Sequence, residues 1–503
     1  MARWSGCGSY CSSGAMRWSL PATAGNAALP AIGSRRPSPV RADRPRPGLS
    51  AVVGLMILCV VVAGLSLLWP HSLTYDPWSW ALWGREIVHG SLTPAGGSSW
   101  KPLPVIFDSL FSLFGAAAPD LWLVLARAGA LMALVFSFRL AARAAGPLAG
   151  ITAVAWVIFS THFGFVFGWL KFFGSGWSEG LLVALVLGAI ESHAENRRRV
   201  ALAAWFAAAL IRPEAAVFLL LYAALAVRRE HGLWIVAAVL LLAVPVLWLV
   251  PDYLGSGQLL LGSSQALNDV PSSLRHAQHP GLRDVSLLRD LLSAPALVGV
   301  ALAVVLARAQ VRRLVLGLLG VAIGWLVIVA VMAEAGYPGI PRFLIVSVSL
   351  ICVVAGIGWG CAANWATRRP VRLLTAAAVV AINAFFLLGH LPELREQSAE
   401  TSYEAKLNAQ LSVVLRRAGG SVAVRRCGLV TTSLLEVPVL AWDLGYGASV
   451  TDREVGTGMI FRTRIFGQQL PAPPPAQSGF MLITHVGTWW VYARCQHPRG
   501  PAA

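Results

Sequence analysis

Asp76 stands in LTYDPWSW, a few residues beyond an apolar run, GLSAVVGLMILCVVVAGLSLLW, that closes at Trp69. A carboxylate just outside a membrane-length segment can take a proton from an incoming hydroxyl group or hold a divalent cation, and burial among Tyr75, Trp78 and Trp80 would raise its basicity. The stretch has a plainer use too, since D-P-W-S suits a helix start with proline in its first turn. Further charged residues stand at the ends of other apolar runs. Glu179 opens one in SGWSEG, close behind Lys171 in GWLKFFG; Arg212 and Glu214 flank a proline in LIRPEA; Arg342 follows YPGIP at the head of another. Charges near a span are costly unless paired or facing a polar cavity, so several at one outer depth imply a shared cavity. Arg212 and Glu214 could equally clamp each other, whereas Arg342 carries the planar donor fork that matches phosphate oxygens. Lys101 in SSWKPLPV and His89 could line the same cavity, although His89 also suits a helix end before Gly90.

The elements that must position these residues are membrane helices. The chain has 503 residues, 56% of them hydrophobic and 13% charged, and a mean hydropathy of +0.66, too apolar for a soluble protein of this size. The net charge of +17 lies in short clusters between apolar runs (RLAAR, ENRRR, VRRE, RAQVRR and ATRRP), which is the pattern of cytoplasmic loops and points away from nucleic acid. Residues 1–48, rich in Ser, Pro, Gly, Ala and Arg, read as a disordered cytoplasmic segment, or in part as an upstream start, with Met16 as an alternative. The first apolar run lacks a small-residue cleavage site and is expected to remain as a helix.

Further apolar runs occupy 121–139, 147–165, 177–192, 232–250, 291–308, 314–333, 342–362 and 371–389. The stretch 200–227, bracketed by ENRRR and VRRE, must go out and return if both brackets are cytoplasmic, which predicts two short helices meeting at Arg212-Pro213-Glu214. The count is then about eleven helices, with the amino terminus inside and the carboxy terminus outside. The outside regions are the loop 70–120 with two interfacial helices, the polar stretch 251–290 with no strong element, and the tail. The predicted organisation is 1–48 disordered, 49–390 membrane domain and 391–503 a small extracytoplasmic α/β domain. That tail would begin with a helix over SAETSYEAKLNAQLSVVLRRA and continue with strand-like runs GGSVAV, VPVLAWD, GFMLITHV and WWVYARC. Cys427 and Cys495 lie in it, free to form a disulfide outside or to stay as two buried thiols. No CxxC, zinc spacing, Walker motif or glycine fingerprint is present.

Taken together, YDPWSW, GWSEG, LIRPEA and YPGIPRFLIV, spread over 50–390, resemble the GT-C superfamily of integral-membrane glycosyltransferases that use polyprenyl-phosphate sugars. The resemblance implies a polytopic fold in which Asp76 is the base that deprotonates an acceptor hydroxyl. It implies Arg342, Arg212 and Lys171 around the lipid phosphate, and an inverting transfer to a glycan or glycolipid at the external face. Glu179, Glu214, Lys101, His89, Tyr75 and Trp80 would line the cavity. Many relatives carry paired acids in the first loop, whereas this chain has one Asp followed by proline, which speaks against an essential divalent cation. The expected partners are the lipid-linked sugar (arabinofuranose, mannose, glucose or another hexose), its acceptor and membrane lipids, with the chain a monomer. The alternative is a transporter or flippase, which predicts internal repeats and helices broken near the bilayer midplane.

Overall fold

The computed structural model describes residues 49–495 apart from 95–97, 161–167, 269–278, 338, 454, 468, 470–471 and 476–477. The segment 1–48 lies outside the described residues, and Leu49–Ala503 forms one compact unit. The chain runs through α1 (Leu49–Leu65), α2 (Tyr75–Val88), α3 (Pro102–Phe111), α4 (Ala118–Ala145), α5 (Pro147–Ser160), α6 (Trp169–Gly174), α7 (Glu179–Ala194) and α8 (Arg198–Ala209). There follow α9 (Glu214–Arg229), α10 (Trp234–Ser256), α11 (Leu261–Asn268), α12 (Pro280–Leu291), α13 (Ala294–Leu306), α14 (Ala309–Glu334), α15 (Ile345–Ala363) and α16 (Arg369–Gly389).

Six helices among the described residues are long and apolar enough to cross a membrane, and α12 with α13, bent by 94°, would make a seventh. The pattern count of about eleven rests also on shorter helices, since α5, α7, α8 and α9 each fall below 18 residues. The run 291–308 supplies α13, and the bend at Leu292 and Ser293 separates it from α12. The polar stretch 251–290, read as having no strong element, holds the end of α10, all of α11 and α12; its middle, 269–278, lies outside the described residues.

The stretch 200–227 does divide into two helices. Pro213 has no N–H to donate and bars the helical conformation at Arg212, so α8 stops and α9 starts afresh at Glu214. The carbonyls left over at the end of α8 are met from outside: Trp248 Nε1 donates to Ala209 O at 3.0 Å and the Leu103 N–H to Leu210 O at 3.0 Å.

α15 is the axis of the bundle, almost wholly enclosed, and packs against α5 and α13 through small residues. At Gly358 the approach is so close that an added methyl group would stand 1.8 Å from Gly299 O. Gly358→Ala is expected to destabilise by at least the ~1–3 kcal/mol typical of an overpacked site. Thermal unfolding in detergent checks this against Gly54→Ala, where a methyl group meets nothing within 4 Å.

The tail starts with α17 (Leu391–Arg417), then α18 (Gly420–Cys427) and α19 (Val437–Leu444) beside a five-stranded sheet. The strands are β1 (Val430–Thr431), β2 (Val450–Thr451), β3 (Gly458–Thr463), β4 (Met481–Val486) and β5 (Trp489–Arg494), in the order β2-β1-β3-β5-β4. β1 runs parallel to β2 and β3, while β5 is antiparallel to β3 and β4. GFMLITHV and WWVYARC supply β4 and β5. GGSVAV and VPVLAWD are helical instead, because a short apolar run carries no period long enough to separate strand from helix. Cys427 at the end of α18 and Cys495 after β5 are joined by a disulfide, with Cα atoms 4.5 Å apart.

Several contacts fasten the tail to the rest, two of them through buried or half-buried charge. The Arg85 guanidinium of α2 lies 4.2 Å from the Trp442 ring of α19 and donates to the carbonyls of Trp442 at 2.9 Å and Ala441 at 3.2 Å. α17 packs along α6, where buried Lys171 meets Glu400 at 3.0 Å and Glu404 at 2.7 Å. Nearby, burial and then the Glu404 charge push the Glu436 carboxyl up to about 7. The folded state therefore holds a proton that the unfolded chain has released, and its stability falls as pH rises from about 4.5 to about 7. We expect lower unfolding temperatures at pH 8 than at pH 5, by an effect on the order of 3 kcal/mol. Glu436→Gln should flatten that slope.

Candidate active site

Asp76 lies in the first turn of α2, whose N-cap is Thr74, so its carboxylate is not used as a cap. It is 7% exposed and accepts a hydrogen bond from Arg342 Nη1 at 2.7 Å. Arg342 belongs to a short turn, Pro341–Leu344, that leads into α15, and its guanidinium stands 4.9 Å from the Trp177 ring. Asp76 and Arg342 were read as facing each other across a sugar; in this state they touch, so they do not flank one.

A second set of charges centres on Glu179, the first residue of α7 and fully buried. An acid there is favoured by the helix dipole. Its Oε1 accepts from Arg212 Nη2 at 3.1 Å and lies 3.5 Å from Lys101 Nζ, which also donates to Ser178 Oγ at 2.9 Å. Lys101 Nζ stands 4.7 Å above the Trp80 ring. Arg212 Nη1 lies 3.7 Å from Glu214 Oε1, and its guanidinium sits 4.0 Å over Phe343, the neighbour of Arg342. Three acids and three bases, drawn from five parts of the chain, thus share one end of the bundle.

Lys101, Arg212, Glu214 and Asp252 open on one cleft of about 240 Å³ with apolar walls that include Trp100, Trp248, Leu260, Met332 and Phe343. Asp252, near the end of α10, is 4% exposed; its Oδ2 accepts from the Gly262 N–H at 2.8 Å, and its Oδ1 has no partner. Both oxygens of Glu214 are likewise without a hydrogen bond. Buried carboxylate oxygens without a hydrogen bond are expensive, and three of them belong to residues of this one cleft, Glu214 Oε1 with Arg212 Nη1 3.7 Å away.

Of the remaining sequence candidates, Lys171 and His89 are engaged with the tail, while Tyr75 and Trp80 adjoin the charges already described. Lys171 stands apart from Arg342 and Arg212, its charge matched by Glu400 and Glu404. His89 caps α2, its ring stacked 4.6 Å from Tyr446 of the tail, and is exposed. Tyr75 begins α2 beside Asp76, and Trp80 lies beneath Lys101. Sequence reasoning missed Asp252, although VLWLVPDYLG places an acid at the end of an apolar run just as YDPWSW does. It missed Glu400 and Glu404 because nothing in an amphipathic helix singles them out. Among the described residues no group of three or more His, Cys, Asp and Glu side chains is placed to hold a metal ion.

The chain is thus a polytopic helical bundle with buried charges gathered at one end, an apolar-walled cleft and a small α/β tail. The chain is similar in fold to ArnT from Cupriavidus metallidurans bound to undecaprenyl phosphate, with 14% identity and a TM-score of 0.50, covering 88% of this chain and 98% of that one. It is similar also to ArnT in the apo state, with 13% identity, a TM-score of 0.53 and the same coverage. An Archaeoglobus fulgidus oligosaccharyltransferase, tethered with an acceptor peptide containing the NVT sequon via a disulfide bond, matches at 11% identity over 80% of this chain and 64% of that one, with a TM-score of 0.45. At these identities the likeness to ArnT is one of fold. No protein-family model and no curated protein matches the sequence.

Proposed function

We propose that this protein is an inverting glycosyltransferase that moves a sugar from a polyprenyl-phosphate donor to a glycan or glycolipid of the cell envelope. The observation that carries the reading is the cleft itself: apolar walls for a prenyl chain, Lys101 and Arg212 for a phosphate, and unmet oxygens of Glu214 and Asp252 for sugar hydroxyls. The fold shared with ArnT, solved with undecaprenyl phosphate, supports it. So does the disulfide, if the tail lies outside the cell, with the amino terminus cytoplasmic and the shorter helices completing about eleven crossings.

On this reading Arg342 has two uses. It holds Asp76 in the resting state; a donor phosphate drawn to Arg342, Arg212 and Lys101 competes for that guanidinium and leaves the Asp76 carboxylate free. Asp76 then takes the proton of the acceptor hydroxyl, whose oxygen bonds to the anomeric carbon from the face opposite the phosphate. The bond from that carbon to the phosphate oxygen breaks, and its electron pair leaves on the lipid phosphate, which the bases stabilise. Lys171, already matched by two carboxylates, instead secures the tail.

The test is transfer of radiolabelled sugar from a panel of synthetic polyprenyl-phosphate mannose, glucose and arabinofuranose by the purified protein in nanodiscs. Transfer from one of them, with inversion at the anomeric carbon, is the expected result. Binding of none of these lipids would overturn the reading; binding and movement across the bilayer without transfer would replace it with a flippase.

A further inference from the structure

The tail holds a second cavity, of about 240 Å³, lined by residues that end or follow β1 and β2, by the latter half of β3, and by Pro475, Ser478 and Phe480 ahead of β4. Those three strands run parallel, and the crevice beyond their carboxyl ends is where open α/β sheets bind ligands. Thr432, directly after β1, is 4% exposed, and its backbone N–H donates to Thr451 O at 3.0 Å. Its Oγ1 is enclosed in the cavity wall with no hydrogen-bond partner. The next residue, Ser433, precedes the turn Leu434–Glu436, where a serine hydroxyl would ordinarily cap the free backbone N–H groups, yet it makes no such bond and its Oγ is also without a partner. Two adjacent unmet hydroxyls in a cavity wall await a partner that brings both donors and acceptors.

The rest of the lining selects the kind of partner. Asp452 after β2 and Arg462 within β3 both face this cavity, and among the described residues neither is engaged in an ion pair. Among the described residues that line it, one carboxylate and one guanidinium balance, so these offer charged hydrogen-bonding groups of both signs. Phe480 adds an aromatic ring. An inorganic or lipid phosphate would meet the Asp452 carboxylate and lack a surplus of cations. A purely apolar ligand would leave both hydroxyls unmet. We propose that this cavity binds a neutral saccharide, its hydroxyl groups shared among Thr432, Ser433, Asp452 and Arg462 and its C–H face laid on Phe480. The binding does not depend on the transfer reading; only the role of holding an acceptor glycan does.

The experiment is saturation-transfer NMR and calorimetric titration of the full chain in nanodiscs with linear hexasaccharides of mannose, arabinofuranose and glucose, and separately with inorganic phosphate. One hexasaccharide is expected to bind. Arg462→Gln, and Thr432→Val with Ser433→Ala, should each weaken it about tenfold. Binding of undecaprenyl phosphate and the unfolding temperature should stay as in the parent, which separates this cavity from the membrane cleft and from misfolding. Hexasaccharide binding unchanged in these variants, binding of phosphate alone, or binding of none of the probes would each overturn the proposal.

Discussion

Asp76→Asn is expected to lower transfer by about two to four orders of magnitude, the usual contribution of a positioned general base, while the protein still folds and still binds donor. The second half of that expectation is the sharper one. Arg342 Nη1 donates to Asp76 Oδ2 at 2.7 Å, so removing the carboxylate's charge releases a buried guanidinium toward the donor phosphate. Donor affinity should hold or rise as the rate falls. Single-turnover rates and donor titrations on the same preparation measure both quantities. A variant that transfers as fast as the parent would show that Asp76 serves only to pair with Arg342, and the base would then be sought at Glu214 or Asp252.

Glu179→Gln should act on the fold before it acts on the rate. Glu179 is fully buried and is the shared partner of Arg212 at 3.1 Å and Lys101 at 3.5 Å. Without its charge, Glu214, 3.7 Å from Arg212, is the acid left beside those two buried cations. Breaking a buried pair in this way typically costs about 3–5 kcal/mol. We expect a large drop in unfolding temperature and in yield of monodisperse protein. Lys101→Met added to Glu179→Gln should recover part of the loss, since it removes one of the stranded charges, and the double-mutant cycle reads that coupling directly. Equal stability of parent and Glu179→Gln would mean that water already shields the cluster.

The gathering of charges was legible in the sequence because a membrane makes charge conspicuous. Asp76, Glu179, Arg212, Glu214 and Arg342 each interrupt or end an apolar run, and the cost of leaving any of them alone implies company. Who keeps company with whom was not legible. Asp76 and Arg342 are 266 positions apart, and Lys171 and Glu404 are 233 apart, distances at which periodicity carries no information. Hence Lys171 was grouped with Arg342 and Arg212 by the resemblance and by depth, with nothing in the sequence to show its partners in the tail. Asp252 offered the same signal as Asp76 and was passed over inside a stretch read as loop. In the tail the long helix and the last two strands were readable, while the runs of GGSVAV and VPVLAWD were too short to declare a period.

Only His390 stands between α16, ending at Gly389, and α17, beginning at Leu391. A joint of one residue, with the carboxylates that neutralise buried Lys171 in the third and fourth turns of the helix that follows, ties the tail to the bundle. Cutting the chain at this joint would expose a stranded ammonium group inside the bundle. A truncated protein that lost activity would therefore report collapse of the scaffold, and the tail's own contribution has to be read from point substitutions in the intact chain.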